Sequence, residues 1–512
     1  MPHDRGVRRA RRAAVIAAGV VLALAAGACS SDAKSSSGPV GTTSPSTTIA
    51  RPDGPAATFA GPVTGGKGIF LGASTPAEPA LQAAGYEEAE YTSSGTATSY
   101  TSSGDLPTDG TWSLQPGDTA DYVTRIVVRR PSDPAKFNGT VAVEWLNVSG
   151  GVDAAPDFTY LQDELLRKGY AWVGVSAQRI GVEGGPVAVA VPGTEGQGVG
   201  TGLKGIDPAR YSSLHHPGDA YAFDMYTQVA RALRDPGAVD PLDGLQVQDL
   251  LAVGESQSAF TLTTYYDGVQ PLTQAFDGFM IHSRGGAAAP LTSPSGYIDI
   301  AGSLSGKPTT LRTDQAAPAI VIETETDVLS VLGYYPARQP DADHLRTWEV
   351  AGTAHADAIQ IGDRESTLGC PTPINRGQQV FVLRAALQHL RDWVVDGTAP
   401  PHADPLAIDA AATPPAYVVD GVGNVKGGVR TPVVDAPVDR LSGIAGGNPS
   451  VICLLLGSTT PIPAAQLATL YPSSDDYLTK YTAATDDAIA KGFALQDDRA
   501  AMLDDAQPSR VG

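Results

Sequence analysis

Leu251-Ala-Val-Gly-Glu-Ser256-Gln-Ser-Ala-Phe260 reads as a buried strand that turns sharply through a serine into a helix. Apolar residues from Leu250 to Val253 run into Gly254, and the small residues Ser258 and Ala259 let the following helix pack close behind the turn. This is a nucleophile elbow. It holds a serine Oγ above the sheet edge and aims the Gln257 N–H, at a helix N-terminus, toward a developing oxyanion. The pattern is G-x-S-x-S, with Ser258 where glycine is usual. Gly174-Val-Ser176-Ala-Gln178 competes with it, since it also places a serine two residues after a glycine at the end of an apolar strand. Ser176 runs into a loop, Gln178 to Gly185, whereas Ala259, Phe260, Leu262 and Tyr265 follow Ser256 with helical spacing, so Ser256 is the preferred nucleophile.

Around the elbow, strand and helix patterns alternate. Val141–Leu146, Tyr170–Val175, Phe279–His282, Ala319–Ile322 and Thr347–Val350 read as strands, and Phe158–Arg167, Asp219–Arg234 and Gln378–Val395 as helices. Such alternation predicts an α/β fold with a mostly parallel central sheet, helices on both faces and ligands at the strands' carboxyl ends. Antiparallel strands near Val123–Val128 are expected to open the domain. Insertions near 178–217 and 284–318 exceed ordinary connections and are expected to form lid or pocket-wall segments. The domain is expected to run over 57–399, with 400–512 as a C-terminal extension packed on it; that extension includes a terminal helical stretch from Tyr477 to Leu503.

A serine hydroxyl needs a base, and the base an orienting carboxylate. His355, in the loop after the strand ending at Gly352, is the expected base; His215 and His216 lie upstream of Ser256, against the expected order of serine, acid, histidine. Asp327 is the expected acid. Glu325 is its alternative, because strand alternation would put Glu323, Glu325 and Asp327 on one face. The second oxyanion donor is expected at Asn147 or Val148, in the Gly-rich loop after the Val141–Leu146 strand.

The N-terminus is read separately. Five arginines precede an apolar run from Ala13 to Ala26, which predicts an export signal over 1–28. Small residues before Cys29 resemble a lipobox, so Cys29 is expected to be lipidated and 29–56 to be a Ser/Thr/Pro/Gly tether; plain secretion is the alternative. The expected location is the cell envelope, anchored to the outer face of the membrane by lipid alone. Cys370 and Cys453 then form an even pair in an oxidising compartment, expected as a disulfide, with two buried thiols as the alternative. The formal net charge of −20 argues against nucleic acid as a partner. No cofactor or metal is expected. Gly200-Thr-Gly202-Leu-Lys-Gly205 matches a dinucleotide fingerprint by letter, but a Gly-rich loop precedes it and Pro208 follows. His215-His216 lacks a third ligand.

The segments VAVEWLNVSGG (141–151), YAWVGVSAQ (170–178), GESQSA (254–259), TETDV (324–328) and WEVAGTAHAD (348–357) together resemble the exported bacterial alpha/beta hydrolase domain-containing proteins of the α/β-hydrolase superfamily. The likeness covers Tyr86 to the C-terminus, including RTPVVDAP (430–437) and CLLLGST (453–459). It implies an α/β-hydrolase fold and a site carried by Ser256, Asp327 or Glu325, and His355, without naming a substrate. The expectation is an exported serine hydrolase that forms an acyl-enzyme, most readily with small-molecule carboxylic esters. The alternative is a non-catalytic envelope lipoprotein binding a ligand or partner on the same scaffold.

Overall fold

In the computed structural model, residues 51–512 are described, apart from 73–77, 195, 197 and 293. The expected leader, Cys29 and the tether up to Ala50 lie outside the described residues. Nine strands form one sheet: β1 (Thr58–Ala60), β2 (Tyr86–Ser102), β3 (Leu114–Pro131), β4 (Thr140–Trp145), β5 (Ala171–Val175), β6 (Asp249–Glu255), β7 (Gly278–His282), β8 (Ala319–Thr324) and β9 (Leu345–Val350). Their spatial order is β1-β2-β3-β5-β4-β6-β7-β8-β9. The pairings from β1 to β5 across β2 and β3 are antiparallel, and those from β5 to β9 parallel. The order reverses at β4, placing β6 at the centre and its carboxyl end at the switch point, where parallel sheets open a crevice.

Strand alternation sorts the core into two layers. Leu250 and Ala252 of β6 join one apolar cluster, whereas Leu251 and Val253 join the other. Eight helices matter below, numbered in chain order: α1 (Pro156–Lys168), α2 (Ala222–Arg234), α3 (Gln257–Thr264), α4 (Glu325–Leu329), α5 (Ala358–Ile361), α6 (Gln379–Asp396), α7 (Val451–Leu455) and α8 (Ser474–Ala490). Phe223, Tyr226 and Val229 of α2 and Phe260 and Leu262 of α3 pack on the first face; Phe158 and Leu161 of α1 and Val382 and Leu387 of α6 pack on the second. Strands buried on both faces by helices are what a parallel sheet requires.

Several elements differ from the sequence reading. The helix expected from Asp219 starts as a 3₁₀ turn, Asp219–Tyr221, before α2. The terminal helical stretch is broken: α8 ends before Gly492, whose φ of 81° stops it, and a separate helix covers Arg499–Asp504. Arg51 pairs with Asp277, and Arg231 donates to the carbonyls of Pro52 and Pro55, so the last residues of the expected tether lie along α2. The described residues of 178–217 hold three short helices, the second of which begins at Gly202 inside the fingerprint-like run, with no strand directly before it among the described residues. His215 pairs with Val123 through its backbone, and buried His216 holds the carbonyl of Ala177 at 2.8 Å. The C-terminal residues pack on the β8–β9 side, where Val429 hydrogen-bonds to β9 and Glu325 holds Gly443.

Candidate active site

Ser256 follows β6 directly and caps α3 with φ 62° and ψ −121°, a conformation that costs a non-glycine residue roughly 1–3 kcal/mol. Surrounding bonds hold it there. Its N–H donates to the His282 carbonyl of β7, and its own carbonyl accepts from Ala259 and Phe260 N–H. Gly254 is required by the turn: a Cβ there would lie 3.0 Å from Ser258 Cβ and 2.9 Å from a Leu262 methyl. The close approach is made by the glycine before the serine, so a serine fits after it. Ser258 is buried, and its hydroxyl has no partner among the described residues.

The Ser256 hydroxyl donates to His355 Nε2 at 2.8 Å, and His355 Nδ1–H donates to Asp327 Oδ1 at 2.7 Å, with the tautomer assigned from this network. Three loops far apart in sequence thus meet at one rim of the sheet. Asp327 Oδ2 accepts three more hydrogen bonds, from Ser283 Oγ and from Thr324 N–H and Oγ, each at 2.7 Å. Burial pushes the Asp327 carboxyl up, but His355 and these hydroxyls outweigh it and hold it below its ordinary value.

Glu325 lies elsewhere. Strand alternation fails here because β8 ends at Thr324, which caps α4 in a capping box with Asp327. A helical turn then separates the two carboxylates: Glu325 accepts from Gly352 N–H at 2.6 Å and Gly443 N–H at 2.8 Å, facing the C-terminal extension. Ser176 is fully buried, its Oγ donating to Asp153 at 2.5 Å and accepting from Arg125 at 2.9 Å, inside a charged cluster away from His355.

Gln257 N–H opens α3, where the first N–H groups have no partner within the helix. Its side chain reaches back: Oε1 accepts from Val148 N–H at 3.3 Å, and Nε2 donates to Gln178 at 2.5 Å. Asn147 lies against the elbow but is committed, its N–H to the Ala154 carbonyl and its amide to the Glu255 carbonyl. It therefore fixes the loop, and Val148 offers the long bond that a ligand oxygen can displace.

Glu255 was not expected at the site. It is buried, lies 3.7 Å from His355 Nε2, and is pushed well above the carboxylate range by burial and then by Asp157, Asp327, Glu144 and Asp357. This favours the protonated form, which competes less with Asp327 for the imidazole. Its position between Gly254 and Ser256 was the signal available in the sequence.

The Ser256–His355 pair opens into a pocket of about 310 Å³. Leu71 and Val152 line it, Val189 and Val191 come from the first insertion, and Ile361 and Ile452 come from α5 and α7. Insertion and elbow loop are tied together, since Ala188 and Val189 N–H both donate to the Ser149 carbonyl. Cys370 and Cys453 form a disulfide that joins the loop after α5 to α7. It sits in the cluster with Ile361 and Ile452, so it braces the wall they form.

A family model described as "Alpha/beta hydrolase domain" matches residues 59–504. No curated protein is similar to the chain in sequence. Among solved structures it is similar to a member of a/b serine hydrolase without lid from Xanthomonas campestris, at 13% identity over 59% of this chain and 94% of that one, with a TM-score of 0.29. It is also similar to a fungal esterase from Rhizomucor miehei, at 13% identity over 62% and 89% with a TM-score of 0.30. A glucuronoyl esterase from Solibacter usitatus gives 11% identity over 58% and 83%, with a TM-score of 0.26. With its doubly covered parallel sheet and the match over 59–504, the chain belongs to the alpha/beta hydrolase domain family.

Proposed function

We propose that the protein is a serine hydrolase that cleaves carboxylic esters of small molecules through an acyl-enzyme. The observation that carries this reading is the unbroken line from Ser256 Oγ to His355 and on to Asp327, at 2.8 and 2.7 Å, beside a pocket large enough for a small ligand. His355 takes the Ser256 proton as Oγ attacks the ester carbonyl, and Asp327 steadies the imidazolium. Gln257 N–H receives the oxyanion, joined by Val148 N–H once it leaves Gln257 Oε1. His355 returns the proton to the departing alkoxide, and water, activated by the same imidazole, releases the acid.

The disulfide supports an oxidising compartment and with it the reading of an exported protein, anchored through Cys29. Turnover of a panel of 4-nitrophenyl esters by the purified protein tests the activity. Hydrolysis lost in Ser256→Ala with the fold intact is the expected result; ligand binding without turnover of any ester would favour a binding protein instead.

A further inference from the structure

The pocket wall is largely aliphatic, and besides Ser256, His355 and Glu255 its polar lining includes Asn147, Ser149, Thr194, Gln360 and Arg364. Gln360 lies in α5 and Arg364 in the 3₁₀ turn that follows, and both line the pocket. Among the described residues, Arg364 is the only lysine or arginine lining the pocket. Its guanidinium makes one hydrogen bond, from Nε to the Ile361 carbonyl at 3.3 Å, and no carboxylate among the described residues pairs with it. Gln360 Oε1 is buried without a partner among the described residues.

Arg125 is matched by Glu90 and Asp153, Arg338 by Glu349 and Arg384 by Asp163 and Asp498, whereas buried Arg284, held by the carbonyls of Gly285 and Thr309, has no carboxylate partner among the described residues, as Arg364 has none. With a net charge of −20 there is no shortage of carboxylates to serve Arg364 too. A half-buried guanidinium without a carboxylate partner, lining a largely aliphatic pocket together with the amide NH₂ of Gln360, has the donor groups that bind a carboxylate.

We propose that Gln360 and Arg364 select esters carrying a free carboxylate on the arm that enters the pocket, such as monoesters of dicarboxylic acids. The inference rests on Ser256 being the reacting end. The arm's methylenes lie along Val152, Val189 and Ile452, and the terminal carboxylate meets the guanidinium fork, with Gln360 donating from its amide nitrogen.

Binding to the Ser256→Ala protein tests this without requiring turnover. Monomethyl adipate and 4-acetoxybutanoate, measured by calorimetry, are compared with the neutral, chain-matched methyl hexanoate and butyl acetate. The better anionic probe is expected to bind more tightly than its neutral counterpart. Adding Arg364→Gln should reduce that preference on the order of ten- to a hundredfold, and Arg364→Lys should retain part of it. An equal affinity for charged and neutral probes, or a preference that Arg364→Gln leaves intact, would overturn the assignment. Failure of the wild-type protein to hydrolyse both the anionic and the neutral esters would count against Ser256 and not against Arg364, so the two readings fail separately.

Discussion

Replacing Asp327 with asparagine should disable the base by reversing its tautomer. Asp327 uses its two oxygens unequally: Oδ1 meets His355 Nδ1–H alone, whereas Oδ2 accepts from Ser283 Oγ and from both donors of Thr324. Asparagine has one carbonyl oxygen to place. Set at the Oδ2 position it keeps three hydrogen bonds, but its NH₂ then faces His355 Nδ1, which must become an acceptor. The imidazole proton moves to Nε2 and points at Ser256 Oγ, so no lone pair remains to take the serine proton. The opposite rotamer preserves the working tautomer but sacrifices three bonds, which at about 0.5–1.5 kcal/mol each disfavours it by roughly 2–5 kcal/mol. The fraction in the working form, and with it kcat, should fall by about 10² to 10⁴. Initial rates with a 4-nitrophenyl ester at saturating concentration measure this, alongside thermal melts showing that the variant is folded. Glu325→Gln is the control, because its carboxylate faces Gly352 and Gly443 and not the imidazole. A folded Asp327→Asn protein within about fivefold of wild type, or an equal kcat loss in Glu325→Gln, would refute the tautomer argument.

Burial pushes the Glu325 carboxyl up to about 7, against the lowering effect of the Gly443 and Gly352 N–H groups. Because the folded state favours its protonated form, the stability it contributes is present below about pH 4.5 and is lost as pH rises through about 7. Between pH 5 and 8, urea unfolding should therefore shift in favour of Glu325→Gln relative to wild type by roughly 2 kcal/mol; parallel pH profiles would contradict this. Gly254→Ala drives a methyl against Ser258 and Leu262 and should destabilise the fold by about 1–3 kcal/mol in the same assay. Replacing both Cys370 and Cys453 with alanine removes a cross-link spanning 83 residues, a loss of about 4–5 kcal/mol in the loop-closure estimate. As that bridge braces the wall carrying Ile361 and Ile452, the same variant should raise KM more than it lowers kcat.

The fold was legible because the pattern repeats: six apolar runs became the parallel strands β4 to β9, and one glycine before a serine located the elbow. The acid was ambiguous for a definite reason. Alternation places Glu323, Glu325 and Asp327 together only if the strand continues, and the Thr324 cap that ends it is a local hydrogen-bond choice that no periodicity reports. The partners of Asp327 were likewise hidden, Ser283 most of all, since it comes from the end of another strand. Glu255 and Arg364 carried no periodic signal. One wall of the pocket joins three stretches distant in sequence, around Val189, Ile361 and Ile452, which only the folded chain and its disulfide bring together.

The central claim is that Ser256 is the nucleophile, and the most direct test is to find where a fluorophosphonate lands. Peptide mapping by mass spectrometry should find the phosphonyl adduct on the peptide bearing Ser256, absent from Ser256→Ala and retained in Ser176→Ala. An adduct on Ser176, or undiminished labelling of the Ser256→Ala protein, would contradict the account.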